Sequence, residues 1–520
     1  MSSSINSSEE KEKPQISQNE FALEKSNALD VSPEEEKRIV RKIDYKLVPF
    51  FSLLYLLSFL DRVNIGQAKL DYLERDLNLT GQEYNISLVL FFVGYVITET
   101  PSNVLIKRLR PSIYIPCLMV AWSIVLTLMG LVTNFEGLAA ARFFLGLAES
   151  GLFPGLCLVL TFWYKREETN LRIAIFFSAA TLSGAFGGLL AYGLSQMAGV
   201  GGKPGWAWIF IIEGLLTFVV GVIAFWVMPN FPDDSKFLSP RERDIVIARL
   251  RKDQGAAGEA GFSWGHITSA CKDYRVWVYC FIYMGVAEPL YSLSLFIPTI
   301  IVSLGKFTRA ESQLLSTPPY FLAFALTLVS AFYSDRKKQR GLFNVFWMGV
   351  TVIGYAILLA VNPIDYPGVA YFALFLCVSG VAPSIPCTIS WLGVNIGPSY
   401  KRGMASGMMF TCGNSMGIVS SLVYFAVDRP LYRRGHAVGL GFAAMAVILS
   451  LLLHFDYKRD NARRDRLYGR PEDYEDGNDI DATIRSQTDP VLQKKLGLEG
   501  MSAAEIEALG DRHPLFRYFV

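Results

Sequence analysis

Apolar positions along this chain gather into long, nearly uninterrupted runs, and polar positions gather between them. Runs fall at 46–68, 83–106, 112–132, 137–162, 171–195 and 206–228, and six more at 276–303, 313–334, 342–361, 368–392, 403–426 and 436–456. Each is about the length a helix needs to cross a hydrocarbon layer, roughly 20 residues at 1.5 Å rise. The pattern predicts an all-α integral membrane protein of twelve transmembrane helices in two six-helix bundles. The expected divisions are a cytosolic tail over 1–45, a first bundle over 46–228, a cytosolic linker over 229–275, a second bundle over 276–456 and a cytosolic tail over 457–520. Six plus six spans about a polar linker is the plan of a two-bundle transporter.

The polar stretches refine this picture. Residues 1 to about 31 read as disordered. Ser32-Pro33-Glu34-Glu35 has the form of a capping box with Pro at the first helical position, and opens a charged helix that runs into the first span. Ser239-Pro240-Arg241-Glu242 repeats the signature in the linker and predicts a surface helix to Arg251, with Gly255 to Gly261 as a flexible piece. Lys and Arg crowd the same side of the spans: Arg38, Arg41, Lys42 and Lys46, then Lys107, Arg108 and Arg110, Lys165 and Arg166, Arg336 to Arg340, and Lys401 with Arg402. This asymmetry predicts both termini in the cytosol, with Arg429, Arg433 and Arg434 as exceptions. Asn78-Leu79-Thr80 is a glycosylation sequon in the first outer loop of that topology.

Composition adds little beyond this. The 520 residues are 52% hydrophobic and 18% charged, with a formal net charge of +2. The polar N-terminal stretch lacks the apolar core of a cleavable signal, so the first span is expected to direct insertion. Six of the seven cysteines lie in apolar runs and read as small core residues. There is no P-loop and no metal-ligand pattern, so neither a metal nor a catalytic residue is expected, and no nucleic-acid partner. Active transport would then draw on an ion gradient, with no bound cofactor. All four histidines lie outside the spans or near their ends, which leaves carboxylates as proton carriers.

Charges inside apolar runs are expensive, about 2.5–3.5 kcal/mol each on insertion scales, and therefore mark sites. The stretch Arg142 to Gly155 carries Arg142 and Glu149 seven residues apart on one helix face, with Gly146 and Gly155 beside them and Pro154 expected to kink the helix. Two readings are open there: a cavity-facing pair of functional charges, or an Arg bonded to a neighbouring helix's carbonyls with a structural acid. Asp61 and Arg62 are adjacent and point about 100° apart, so only one of them faces the cavity centre. Arg62, whose guanidinium fork matches a carboxylate, is assigned to substrate, with Arg142 next in line. Asp61 then faces another helix as a proton site, unless the two form a structural charge cluster. Glu149, deep in the membrane and two turns from Arg142, is expected to be protonated when the cavity is dry and to release its proton on opening or on approach of an Arg from span one. Glu99, before Pro101, reads as a proton site, a gate or a packing contact, and Glu213 as structural. Glu288 reads as a specificity residue or an acid paired with an arginine. Tyr283, Tyr291 and Asn414 read either as packing residues or as walls of a substrate site. The segment Ser334 to Lys338 occupies the place in the second half that Lys107 to Arg110 occupies in the first, and Asp335 with Arg336 is expected to act as a gating loop.

At Asp61-Arg62-Val63-Asn64-Ile65-Gly66, Glu99-Thr100-Pro101-Ser102-Asn103, Arg142 to Gly155, Phe210 to Gly214, Tyr291 to Phe296, Pro318-Pro319-Tyr320, Lys401-Arg402, Gly413-Asn414 and Asp511 to Tyr518, the chain resembles the major facilitator superfamily. It is similar in particular to the anion:cation symporter branch and its fungal permeases for allantoate, nicotinate and pantothenate. The resemblance implies the division of Asp61 and Arg62 given above, with Glu149 as the second proton site. It departs in three places: a basic loop around Lys107 to Arg110, Ala207 where relatives carry Arg near Glu213, and Glu288 where many carry an uncharged residue. The expected function is proton-coupled symport of a small organic carboxylate by a multi-pass monomer, in the plasma membrane or an endomembrane. An uncoupled facilitator or exchanger, and a non-transporting nutrient receptor, are the alternatives.

Overall fold

In the computed structural model the described residues are 31–254, 264–305, 307–337, 339–397, 399–470, 486 and 489–520. The expected flexible piece at Gly255 to Gly261 and the N-terminal tail before residue 31 lie outside them. Twelve long helices follow one another: α1 (Pro33–Leu70), α2 (Glu83–Arg108), α3 (Pro111–Met129), α4 (Phe135–Thr161), α5 (Arg166–Ser195), α6 (Gly205–Val227), α7 (Tyr274–Ser303), α8 (Thr317–Lys337), α9 (Arg340–Ala360), α10 (Pro367–Asn395), α11 (Ser399–Ser421) and α12 (Arg433–Tyr468). Ten of these positions are long and apolar enough to cross a membrane. The other two, α2 and α11, carry more charged and small polar residues.

The start of α1 is set by its sequence. Ser32 Oγ accepts from the Glu35 amide at 3.2 Å, Pro33 occupies the first turn, and Glu34 to Glu36 place negative charge at the positive end of the helix dipole. The charged segment and the first span are one continuous helix. The linker helix Pro240–Gln254 opens with the second box, in which Ser239 N donates to Glu242 Oε2 at 2.8 Å and Glu242 N to Ser239 Oγ at 3.3 Å. It docks on the α1 extension through Lys42–Glu242 (2.7 Å) and Arg241–Glu35 (3.3 Å), and Arg249 pairs with Glu168. A further linker helix, Trp264–Lys272, has no counterpart in the sequence reading, since its residues lack a long apolar stripe.

Packing repeats between the halves. In the first, α1 lies on α5, α2 on α4, and α3 on α6; in the second, α7 lies on α11, α8 on α10, and α9 on α12. The halves meet through α5 with α8 and α2 with α11, again an equivalent pair. Close approach depends on glycine: a Cβ on Gly146 of α4 would lie 2.0 Å from the Phe91 carbonyl oxygen of α2, and one on Gly66 of α1 would lie 2.6 Å from the Leu295 carbonyl oxygen of α7.

Three boundaries differ from expectation. The helix α8 continues to Lys337, so Asp335 and Arg336 form its last turn rather than a loop; the side chain of Asp335 lies outside the described residues. The helix α11 ends at Ser421, before the expected 426. The helix α12 runs twelve residues past the expected 456, to Tyr468, because the chain's own C-terminal segment packs on it: Tyr518 stacks on Tyr457, Asn461 donates to the Tyr518 carbonyl and Arg464 to the Phe516 carbonyl.

Candidate functional site

The α4 helix breaks at Ser150–Gly151, between segments Phe135–Glu149 and Leu152–Thr161. Pro154 has no amide hydrogen to offer the Ser150 carbonyl, so the ladder is interrupted there. Glu149 is the last residue before the break, at mid-depth and fully buried.

Its partner comes from α1. Arg62 donates to Glu149 Oε1 from Nη2 at 2.6 Å and from Nε at 3.1 Å, and Ser58 Oγ donates to the same oxygen at 2.6 Å. Both charges are almost wholly removed from solvent, with 4% and 0% of their side chains exposed. The closed site therefore does not leave Glu149 without a charged partner; it holds Glu149 against the span-one arginine. The guanidinium lies over aromatic rings, 4.8 Å from the centre of Tyr95 and 5.4 Å from that of Phe91.

From Arg62 a polar chain crosses to the other bundle and returns. Arg62 Nη1 donates to Tyr291 Oη at 3.4 Å, Tyr291 Oη to Asn414 Oδ1 at 2.5 Å, and Asn414 Nδ2 to Glu99 Oε1 at 2.8 Å. The chain links α4, α1, α7, α11 and α2 through residues that lie far apart in the sequence. Beside it is a small, mainly apolar cavity between the bundles, lined among others by Phe59, Phe177, Leu290, Tyr320 and Val378.

The remaining candidates take other positions. Asp61 turns away from Arg62 into the first bundle, where Trp122 Nε1 donates to its Oδ2 at 3.1 Å and Thr217 Oγ1 at 2.9 Å. Glu213, one turn before Thr217, is buried with neither carboxyl oxygen hydrogen-bonded. Arg142 does not touch Glu149; its Nη1 reaches the Arg62 carbonyl oxygen at 3.4 Å, the neighbouring-helix contact that the alternative reading described. Tyr283 packs edge-on to Phe410, ring centres 6.0 Å apart, with Gly413 against its ring. Glu288 is buried about one turn before Tyr291 on α7 and, among the described residues, is ion-paired with no arginine; Ser292 Oγ donates to its Oε1 at 2.6 Å. Asn78 is exposed in the turn after α1 with φ 51°. Three participants were missed: Ser58, one turn before Arg62 in an apolar run, and Trp122 and Thr217, whose indole nitrogen and hydroxyl meet Asp61. Their only sequence signal is a polar atom at helical spacing from a buried charge.

The halves are sealed at the end remote from both termini. Asn85 Nδ2 donates to the Ser421 carbonyl at 2.6 Å, Thr317 Oγ1 to the Ala185 carbonyl at 3.0 Å, and Arg309 stacks 3.9 Å from the Tyr72 ring centre. Among the described residues, hydrogen bonds between the bundles lie at this end and at mid-depth.

Two pseudo-equivalent helical bundles with charges buried at their junction are the plan of a two-bundle membrane carrier. The chain belongs to the Major Facilitator Superfamily, whose profile matches residues 51–421, and it is a multi-pass membrane transporter of that superfamily. It is 36% identical over 440 residues to an uncharacterized transporter of Schizosaccharomyces pombe, covering 84% of this chain and 86% of that protein. It is 32% identical to the MFS-type transporter cnsO of Penicillium expansum, over 94% of this chain and 91% of that protein. Identity to the high-affinity nicotinic acid transporter of Saccharomyces cerevisiae is 32% over 436 residues, 84% of this chain and 80% of that one. A bacterial homolog of the human lysosomal transporter Spinster, solved inward-facing and unoccupied, shares the fold at TM-score 0.60 and 15% identity, covering 80% of this chain and 97% of its own.

Proposed function

We propose that this transporter is a proton-coupled symporter of a small organic carboxylate, of the class that includes nicotinate, pantothenate and allantoate. The observation that carries the reading is the buried Arg62–Glu149 pair. A guanidinium engaged by a carboxylate cannot also bind an anionic substrate, and a buried Arg stripped of its counter-charge is costly. Protonation of Glu149 removes the competing charge and frees the fork of Arg62; the substrate carboxylate then takes the place of Glu149. Proton and anion thus enter together with no net charge left unpaired. Tyr291 and Asn414 tie Arg62 to the second bundle, so exchange of its partner alters the contact between bundles as well as the charge at the site. Likeness to a nicotinic acid transporter supports the substrate class.

Glu149→Gln mimics the protonated state permanently. In vesicles containing the purified chain, it is expected to exchange labelled for unlabelled substrate while failing to concentrate it when the outside is acidified. Undiminished acid-driven accumulation would remove Glu149 from the proton path and leave Asp61 as the candidate. Loss of exchange as well would assign Glu149 a structural role.

A further inference from the structure

Two helices run on beyond their apolar spans at the end that carries both termini. Residues 33–46 extend α1, and residues 456–468 extend α12. Both extensions are rich in charge, and both divide it by sign. On α1, Glu35 pairs with Arg241 of the linker helix at 3.3 Å, Glu36 with Lys165 at the start of α5 at 2.5 Å, and Asp44 with Arg172 of α5 at 2.9 Å. On α12, Asp456 and Asp460 each pair with Arg275 of α7 at 3.0 Å, and Asp465 pairs with Arg517 of the C-terminal segment at 2.8 Å. Among the described residues, Glu34, at the end farthest from the span, is the one acid of the two extensions without an ion pair. The cations divide the other way. Lys42 and Arg464 pair within the protein. Arg38, Arg41 and Lys46 on α1, and Arg459, Arg463 and Arg466 on α12, are exposed and form no ion pair among the described residues.

These cations continue the exposed stripes of the spans. On α1 the exposed positions run Leu53, Pro49, Tyr45, Arg41, Arg38, and on α12 they run Ile448, Leu452, Phe455, Arg459, Arg463. Steps of three and four keep to one face of a helix. Each stripe passes from apolar side chains through one aromatic ring to guanidinium groups, with Tyr45 83% and Phe455 60% exposed. That is the order of a bilayer leaflet read outward: hydrocarbon, then the interface where aromatic rings sit, then phosphate. At 1.5 Å per residue, Arg41 and Arg459 lie about 6 Å beyond the ring, and Arg38 and Arg463 about 10–12 Å. The nearer pair is at headgroup level, and the farther pair reaches back to it through an extended side chain. A helix face meant only for water gains from charges of both signs, because neighbours one turn apart pair with each other. A face from which the acids are withdrawn keeps its cations free for an anionic surface.

We propose that the extensions of α1 and α12 bind the headgroups of anionic phospholipids in the leaflet at the termini side, through Arg41 with Lys46 on the first bundle and Arg459 with Arg463 on the second. One extension belongs to the first helix of the first bundle and the other to the last helix of the second. Each bundle therefore has its own anchor to the leaflet, and the two anchors follow their bundles separately. The inference is independent of what the carrier transports and of the ion that drives it.

Spin-labelled lipids test this with the purified full chain in phosphatidylcholine vesicles. The protein-bound fraction of spin-labelled phosphatidylserine is compared with that of spin-labelled phosphatidylcholine. The wild type is expected to prefer the serine lipid by about fivefold at a few saturable sites, as one cation near an anionic headgroup supplies. The preference should vanish in 1 M NaCl, where charge is screened within a few ångströms. Arg41→Gln with Lys46→Gln is expected to remove about half of the sites, and Arg459→Gln with Arg463→Gln the other half. Equal binding of the two lipids by the wild type overturns the proposal, as does a preference that survives 1 M NaCl or that neither double variant reduces. Inorganic phosphate added at constant ionic strength separates the sources of the same chemistry. It is expected to leave the preference intact; full displacement by it would assign the cations to free phosphate and overturn the lipid reading. Should a double variant fail to fold, the wild-type salt and phosphate titrations still decide the matter.

Discussion

At the scale of single residues, the site turns on which way adjacent side chains point. Asp61 and Arg62 diverge by about 100°, and the structure sends one into a bundle core and the other to the junction. Arg62 presents Nη2 and Nε to one carboxyl oxygen and Nη1 to Tyr291, a use of its planar fork that a lysine cannot copy. Arg62→Lys is therefore expected to reach the membrane with its charge intact and to lose affinity for substrate by about 10- to 100-fold, the effect of losing a charge-assisted hydrogen bond of roughly 1.5–3 kcal/mol. Uptake measured over a range of substrate concentrations checks this, and unchanged affinity in Arg62→Ala would move anion binding elsewhere. The divergence of Asp61 and Arg62 could be read from sequence because it follows from helix geometry. That Glu149 would meet Arg62 rather than stand alone could not, because the contact joins residues 87 positions apart.

At the scale of elements, the C-terminal segment shows how a polar tail becomes part of the fold. Arg464 of α12 donates to the carbonyls of Asp511, His513 and Phe516, Tyr518 stacks on Tyr457 with ring centres 4.5 Å apart, and Asn395 Nδ2 of α10 donates to the Phe519 carbonyl at 2.8 Å. Lys401 of α11 is shared between Asp273, before α7, and Asp511. The segment thus straps the termini-side ends of α7, α10, α11 and α12. Deleting residues 511–520 is expected to lower the thermal unfolding midpoint of the detergent-solubilised protein by about 5 °C or more, since 1 kcal/mol moves a mid-sized domain by roughly 2–4 °C. A midpoint unchanged by the deletion would mean that the strap contributes nothing to stability. The break in α4 is another matter of elements: Pro154 announced it, and the lost bond to Ser150 explains it.

At the scale of the molecule, the two bundles are sealed at one end and joined at mid-depth, the arrangement of a carrier with one gate shut. With the orientation expected from the asymmetry of Lys and Arg, we propose that the sealed end lies outside the cytosol. Val427, 83% exposed in the loop between α11 and α12, belongs to that end. A cysteine introduced at Val427 is expected to react with an impermeant reagent on intact cells, and a tag at residue 485 only after permeabilisation. Labelling of the tag from outside would reverse the topology and with it the direction of the proton gradient in the symport reading.

The sequence by itself determined the class of fold, the positions of the twelve helices to within a few residues at most ends, the N-cap at Ser32, the capping box at Ser239 and the identity of the buried charges. These follow from local rules: hydrocarbon demands unbroken apolar helices, and a charge inside one stands out. Only the tertiary structure decided the partners. The Arg62–Glu149 pair, the bridge through Tyr291 and Asn414 to Glu99 and the docking of the tail all depend on how helices are rotated against one another. That rotation is fixed by contacts between distant glycines and backbones, such as Gly146 on Phe91 and Gly66 on Leu295, and no periodicity within a single helix carries it.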